Sequence, residues 1–204
     1  MVRSSSGYIF QKIAQEGRAE GHVRDNRQAR QWFREKAGSF TRVDAQRIMD
    51  KNLNQLYDKV SPMDIGRMYM FFYDPKWKEK LPYYDRFPLI FVIRNYPDGF
   101  LGMNLHYLPP ILRATLMDAL YRIEKNDNPR QSKKLKMSYE LLNGASQYKF
   151  FKPTVKRYLF NHVRSRFLWV PAEEWDIALM LPTERFKKAR KNRVWKESKE
   201  SIKV

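Results

Sequence analysis

Met68-Tyr-Met-Phe-Phe-Tyr-Asp-Pro75, Tyr83-Tyr-Asp-Arg-Phe-Pro-Leu-Ile-Phe-Val-Ile93, Tyr96-Pro-Asp-Gly99 and Phe100-Leu-Gly-Met-Asn-Leu-His-Tyr-Leu-Pro-Pro110 decide how this chain folds. Short aromatic and aliphatic runs punctuated by Asp-Pro and Pro-Asp-Gly have the composition of strands joined by tight turns. Tyr69, Phe71 and Tyr73 alternate with Met68, Met70 and Phe72, so both faces of the first strand are expected to be covered. Pro97 suits a type I turn, with Gly99 taken as a positive-φ residue, and a hairpin follows into Phe100–Tyr107.

Working outward, Pro110 can open a helix whose inward stripe would be Ile111, Leu112, Thr115, Leu116, Ala119, Leu120 and Ile123. Tyr148 to Phe167 carries six basic residues and no acid. Helical spacing there turns Val155, Leu159, Val163 and Phe167 inward and Lys156, Arg157, Phe160 and Arg164 outward. Phe167–Val170 reads as a fourth strand and Ala178–Leu181 as a fifth. Upstream, a helix around Trp32 and Phe33 uses that pair as a docking face, and Val43–Val60 forms an amphipathic helix ended by Ser61-Pro62. Arg130, Lys133, Lys134 and Lys136 make a further basic patch.

These readings define an α+β fold: a small antiparallel sheet or partly open barrel of about five strands, with covering helices and basic helical arms. The expected divisions are a basic N-terminal arm over 1–60, a core over 61–182 with a helical insertion at about 110–165, and a basic tail over 183–204.

The chain has 204 residues, 40 Lys and Arg against 22 Asp and Glu, a formal charge of +18 and a pI near 10.0. Such an excess favours a polyanion, since each cation brought to a phosphate releases condensed counterions, although an acidic protein surface would satisfy it equally. The cations expected to meet DNA or a protein partner are Arg24, Arg27, Arg30 and Arg34; Lys149, Lys152, Lys156, Arg157, Arg164 and Arg166; and Lys187, Lys188, Arg190, Lys191 and Arg193. Trp32, Trp77 and Trp195 are candidates for stacking on a terminal base pair or anchoring an interface.

The absence of cysteine excludes disulfides, thiolate metal sites and cysteine nucleophiles. No stretch approaches the roughly 18 apolar residues of a membrane span, so no membrane partner is expected. The histidines at 22, 106 and 162 lack metal-helix spacing, and no phosphate loop or nucleophile elbow is present. Asp74, Glu79, Asp85 and Asp98, with Lys76, Lys78 or Lys80, could in principle serve a metal-dependent nuclease, but Asp74-Pro75 and Asp98-Gly99 are explained by turn chemistry. No catalytic residue, metal, cofactor or small-molecule substrate is expected.

The strings Met68–Lys76, Leu81–Leu89 and Gly99–Pro110, together with Ala29–Arg34, Tyr158, His162–Arg166, Glu174-Trp175 and Leu181-Pro182, resemble a family of small basic proteins of T-even-type contractile-tailed phages. The resemblance covers about Ala29 to Trp195. It implies a non-enzymatic virion or assembly protein of the DNA end protector type, with double-stranded DNA bound irrespective of sequence and other virion proteins as partners. A tail or baseplate subunit is the competing implication. The position implied is the virion, assembled in the host cytoplasm.

Overall fold

The computed structural model describes residues 27–39, 64–126, 152–170 and 174–203, together with Ile13, Glu16 and Ala19. The helix read at Val43–Val60 and the basic patch at 130–136 lie outside the described residues. Helices α1 (Arg27–Gly38), α2 (Pro110–Asn126), α3 (Trp175–Met180) and α4 (Lys191–Lys203) accompany strands β1 (Met68–Met70), β2 (Tyr84–Asp85), β3 (Leu89–Tyr96), β4 (Gly99–Asn104), β5 (Val155–Leu159), β6 (Leu168–Val170) and β7 (Phe186–Lys187).

Five strands form one antiparallel sheet in the order β5-β4-β3-β1-β6, which stays open rather than closing into a barrel. A two-stranded ribbon pairs β2 with β7. Val155, Met103, Phe91, Met68 and Val170 are register neighbours across the sheet and pack on one face against Phe33, Leu116, Ile177 and Leu179 of α1, α2 and α3. The opposite face is aromatic: Tyr69, Phe71, Tyr73, Phe100, Tyr158 and Phe167 meet mostly edge to face. Both faces of β1 are therefore buried, as its uninterrupted apolar sequence anticipates.

The β3–β4 hairpin turns on Pro97 and Asp98. Gly99 is not at positive φ, which among described glycines belongs to Gly66. Its small size is needed for another reason: a Cβ there would lie 1.9 Å from the Tyr158 carbonyl oxygen of the neighbouring strand.

Two element assignments made from sequence change. Val155–Leu159 is a strand, not part of a basic helix, and is flanked by 3-10 turns at Lys152–Thr154 and Phe160–His162. Tyr158 joins the aromatic face while Val155 joins the other, the alternation of a strand. Lys156 and Arg157 then occupy a sheet edge, where charge disfavours pairing with another chain. Conversely, Ala178–Leu181 belongs to and caps α3, since Ile177, Ala178 and Leu179 bury a helical face. The fifth strand is thus β5.

The α2 stripe is also rotated from its expected position. Arg113, Leu116 and Met117 are buried, whereas Ile111 is 77% exposed and Thr115 is exposed. Arg113 turns inward because three carbonyls receive its guanidinium: Leu108 at 2.7 Å, Leu179 at 2.8 Å and His106 at 3.3 Å. Burial lowers its proton affinity to a pKa of about 10, and the nearby Glu184 and Asp85 charges limit the fall.

Candidate nucleic-acid interface

The residues between β1 and β2 form a succession of turns, closed by Lys78, Lys80 and Leu81 N–H groups donating to Pro75 and Trp77 carbonyls. Three further carbonyls of this loop, those of Lys78, Glu79 and Leu81, accept from the Lys188 ammonium at 2.7, 2.9 and 3.3 Å. Lys188 is itself held at φ 66°, left-handed backbone that a side chain rarely adopts. At its other end the loop is tied to the sheet edge, where Asp74 N–H donates to the His162 carbonyl and Tyr73 bridges Val163. The loop thus carries Trp77 outward on a fixed support. Trp77 is 58% exposed, with the ammonium groups of Lys76 and Lys80 over its ring at 5.3 and 5.0 Å.

Behind Trp77 lies a cavity of about 400 Å³. The loop contributes Pro75, Lys76, Trp77 and Leu81; Tyr83, Tyr84 and Tyr107 add aromatic wall; β5 contributes Lys156, Arg157, Tyr158 and Leu159. Most polar groups on this wall are committed. The Tyr73 oxygen accepts from Leu159 N–H, the Tyr158 oxygen accepts from Asn104, and the Tyr83 hydroxyl bonds Glu197. Burial, with Glu197 adding to it, pushes Tyr83 up to about 12. Arg157 is paired with Asp98 and lies over the Tyr96 ring. Lys156 differs: its ammonium sits 4.4 Å from the centroid of Tyr107 and forms no ion pair among the described residues. Burial alone lowers its pKa to about 8.

Asp85 also borders the cavity, and its oxygens are occupied from within. Phe87 and Arg185 N–H donate to Oδ1, and Asn104 Nδ2 and His106 Nδ1 donate to Oδ2, the last at 2.7 Å. Burial would raise its pKa, but His106 and these donors outweigh that and hold the carboxyl below the ordinary range. His106 Nε2 meets Thr183 Oγ1 at 3.1 Å. The order Thr-His-Asp resembles a nucleophile relay, yet His106 and Thr183 are buried and neither lines the cavity. The arrangement instead ties β2 and β7 to the end of β4. Asp74 binds Lys78 and Asp98 binds Arg157, and the described residues contain no group of three or more acids and histidines able to hold a metal.

The cations singled out from sequence separate into different situations. Lys156 and Arg157 come together with Trp77 at the cavity. Lys152, Arg164, Arg166, Lys187 and Arg190 are exposed. Lys188 is spent on the loop, Lys191 on Glu184 at 2.9 Å and Arg193 on Glu197 at 2.7 Å. Arg27 and Arg30 lie on α1, while Arg24 and Lys149 lie outside the described residues.

Arg34 is buried, bonding Asp176 at 2.6 Å and Asp118 at 2.9 Å; its position beside Phe33 and Ala37 on the helix places it on the docking face. Desolvation opposes its charge, but the two carboxylates prevail and raise its pKa. Trp32 packs against the core, and Trp195 donates to the His106 carbonyl at 2.8 Å between Arg113 and Lys191. Of the three tryptophans, Trp77 alone presents an open ring. Tyr83, Tyr84 and Tyr107 went unnoticed in the sequence as part of one hollow, although the Tyr83-Tyr84 doublet beside a lysine-rich loop was a visible sign.

Exposed cations around an open indole ring are the makeup of surfaces that take a polyanion, whether a phosphate-bearing polymer or an acidic protein. Residues 5–199 match the family model of the phage T4 terminal DNA protecting protein, and the chain belongs to that family. No curated protein and no solved structure matches it.

Proposed function

We propose that the protein binds the ends of packaged double-stranded DNA in a phage virion and shields them from exonucleases without reading sequence. The observation that carries this reading is Trp77, exposed on an anchored loop, flanked by Lys76 and Lys80, and backed by a hollow bearing Lys156. An indole ring offers any terminal base pair a stacking surface, and exposed Lys152, Arg164, Arg166, Lys187 and Arg190 offer phosphate contacts that carry no base information. The role is occlusion and requires no bond to be made or broken.

The test compares a linear duplex with a covalently closed circle of the same sequence across a salt series, alongside exonuclease digestion of the linear form. The expected result is tighter binding of the linear form, slower digestion and an affinity that falls steeply with salt. Equal affinity for both forms with undiminished digestion would refute end protection. Failure to bind either would favour the alternative in which the cations contact acidic neighbouring subunits.

A further inference from the structure

We infer that the cavity behind Trp77 is a pocket for one phosphorylated nucleotide, with the phosphate on the Lys156 ammonium and the base among the tyrosine rings. Three observations converge on this ligand. The cavity, at about 400 Å³, falls in the size range of small-molecule sites, roughly 300–1,000 Å³. Its wall is aromatic on several sides, through Trp77, Tyr83, Tyr84, Tyr107 and Tyr158, which suits a flat heterocycle. Two of its ammonium groups, Lys156 within and Lys76 at the exposed rim, have no described counter-ion, and Lys156 is the more buried of the two, whereas Arg157 already holds Asp98. A half-buried cation left unpaired is costly, and an anion entering beside it removes that cost.

Asp85 on the same wall does not compete for Lys156, because four protein donors already occupy its oxygens. Lys76 at the rim adds a second positive charge. An aliphatic acid would leave the rings unused, and an unphosphorylated base would leave the ammonium unpaired.

A frayed terminal nucleotide of a duplex and a free mononucleotide share this chemistry. The choice between them rests on the end-binding reading; the pocket itself does not. The full-length protein is titrated with thymidine 5′-monophosphate, thymidine and inorganic phosphate by calorimetry. It is also titrated with short duplexes whose ends are phosphorylated or dephosphorylated, by anisotropy of an internal label. Both series are repeated on Lys156→Met.

The monophosphate should bind at least about tenfold more tightly than thymidine or phosphate alone, the scale of one charge-assisted hydrogen bond. Phosphorylated duplex ends should be preferred by a similar factor, and Lys156→Met should abolish both preferences while its circular dichroism spectrum stays native. Binding of the monophosphate without preference for phosphorylated duplex ends would assign the pocket to free nucleotides. Loss of duplex binding altogether, with the monophosphate still bound, would overturn end protection and leave the pocket standing. No monophosphate binding, or a preference unchanged in Lys156→Met, would overturn the pocket.

Discussion

Lys156→Met is expected to raise the stability of the protein at neutral pH while removing its affinity for a phosphate. The ammonium has an ordinary pKa of 10.5 and is brought to about 8 by burial. Those two and a half decades, at about 1.4 kcal/mol each, put the cost of keeping it charged near neutrality at about 3.5 kcal/mol. Its position over Tyr107 returns ~0.5–2 kcal/mol, which leaves a net gain of about 1.5–3 kcal/mol for an uncharged side chain of similar length. For a chain of this size that corresponds to a rise of about 3–12 °C in Tm.

The pH dependence gives the same mechanism a separate readout. Below pH 8 both folded and unfolded chains carry the charge, and the native state bears the full cost. Between pH 8 and 10.5 the folded lysine loses its proton first, so wild-type stability should climb toward that of the variant. As the pH passes 10, wild type and variant should also lose stability by a common amount, because Tyr83 and Tyr107, both raised by burial, keep their protons in the folded chain while the unfolded phenols ionise; the difference between the two proteins continues to close. Urea melts of both proteins at intervals from pH 7 to pH 10.5 provide the measurement. A variant that is less stable than wild type, or two parallel pH profiles, would refute the reasoning.

Trp77→Ala should weaken binding to duplex ends by ~1–3 kcal/mol, read by anisotropy, with no drop in Tm because the ring is mostly exposed. Arg34→Met removes the guanidinium that Asp118 and the buried Asp176 share and should cost ~3–5 kcal/mol in a urea melt. Lys188→Met strips three loop carbonyls of their donor, so trypsin should cleave at Lys76, Lys78 or Lys80 much faster than in wild type while the sheet amides retain their protection from hydrogen exchange.

The central sheet was legible because period-two patterns and turn residues are local signals. Met68–Met70, Leu89–Tyr96 and Gly99–Asn104 appear where the alternation puts them, and Pro97-Asp98 closes their hairpin. Val155-Lys-Arg-Tyr-Leu159 misled because five residues fit either period, and its strand state comes from hydrogen bonding to β4, a partner about fifty residues away. Ala178–Leu181 misled for the opposite reason, a short apolar run whose helical face is defined by α1 and α2.

At the candidate interface, Lys156, Arg157 and Trp77 were visible as basic or aromatic types. Their convergence was not, since it depends on a loop folded back against β5 and held by Lys188. Arg34, Arg113 and Lys191 carry the same charge but lie against Asp176, three carbonyls and Glu184, respectively. Composition counts cations without telling structural ones from those available to a ligand.

The Arg34 clamp has a bearing on how the protein is born. Its two carboxylates lie 84 and 142 residues further along the chain. During synthesis, which delivers the N-terminus first, the Arg34 guanidinium can meet Asp118 once α2 has emerged but must wait for α3 to reach Asp176, the more buried of its two carboxylates. The clamp is therefore completed only when α3 is made, and until then the Phe33 face of α1 lacks the partner helix it packs against.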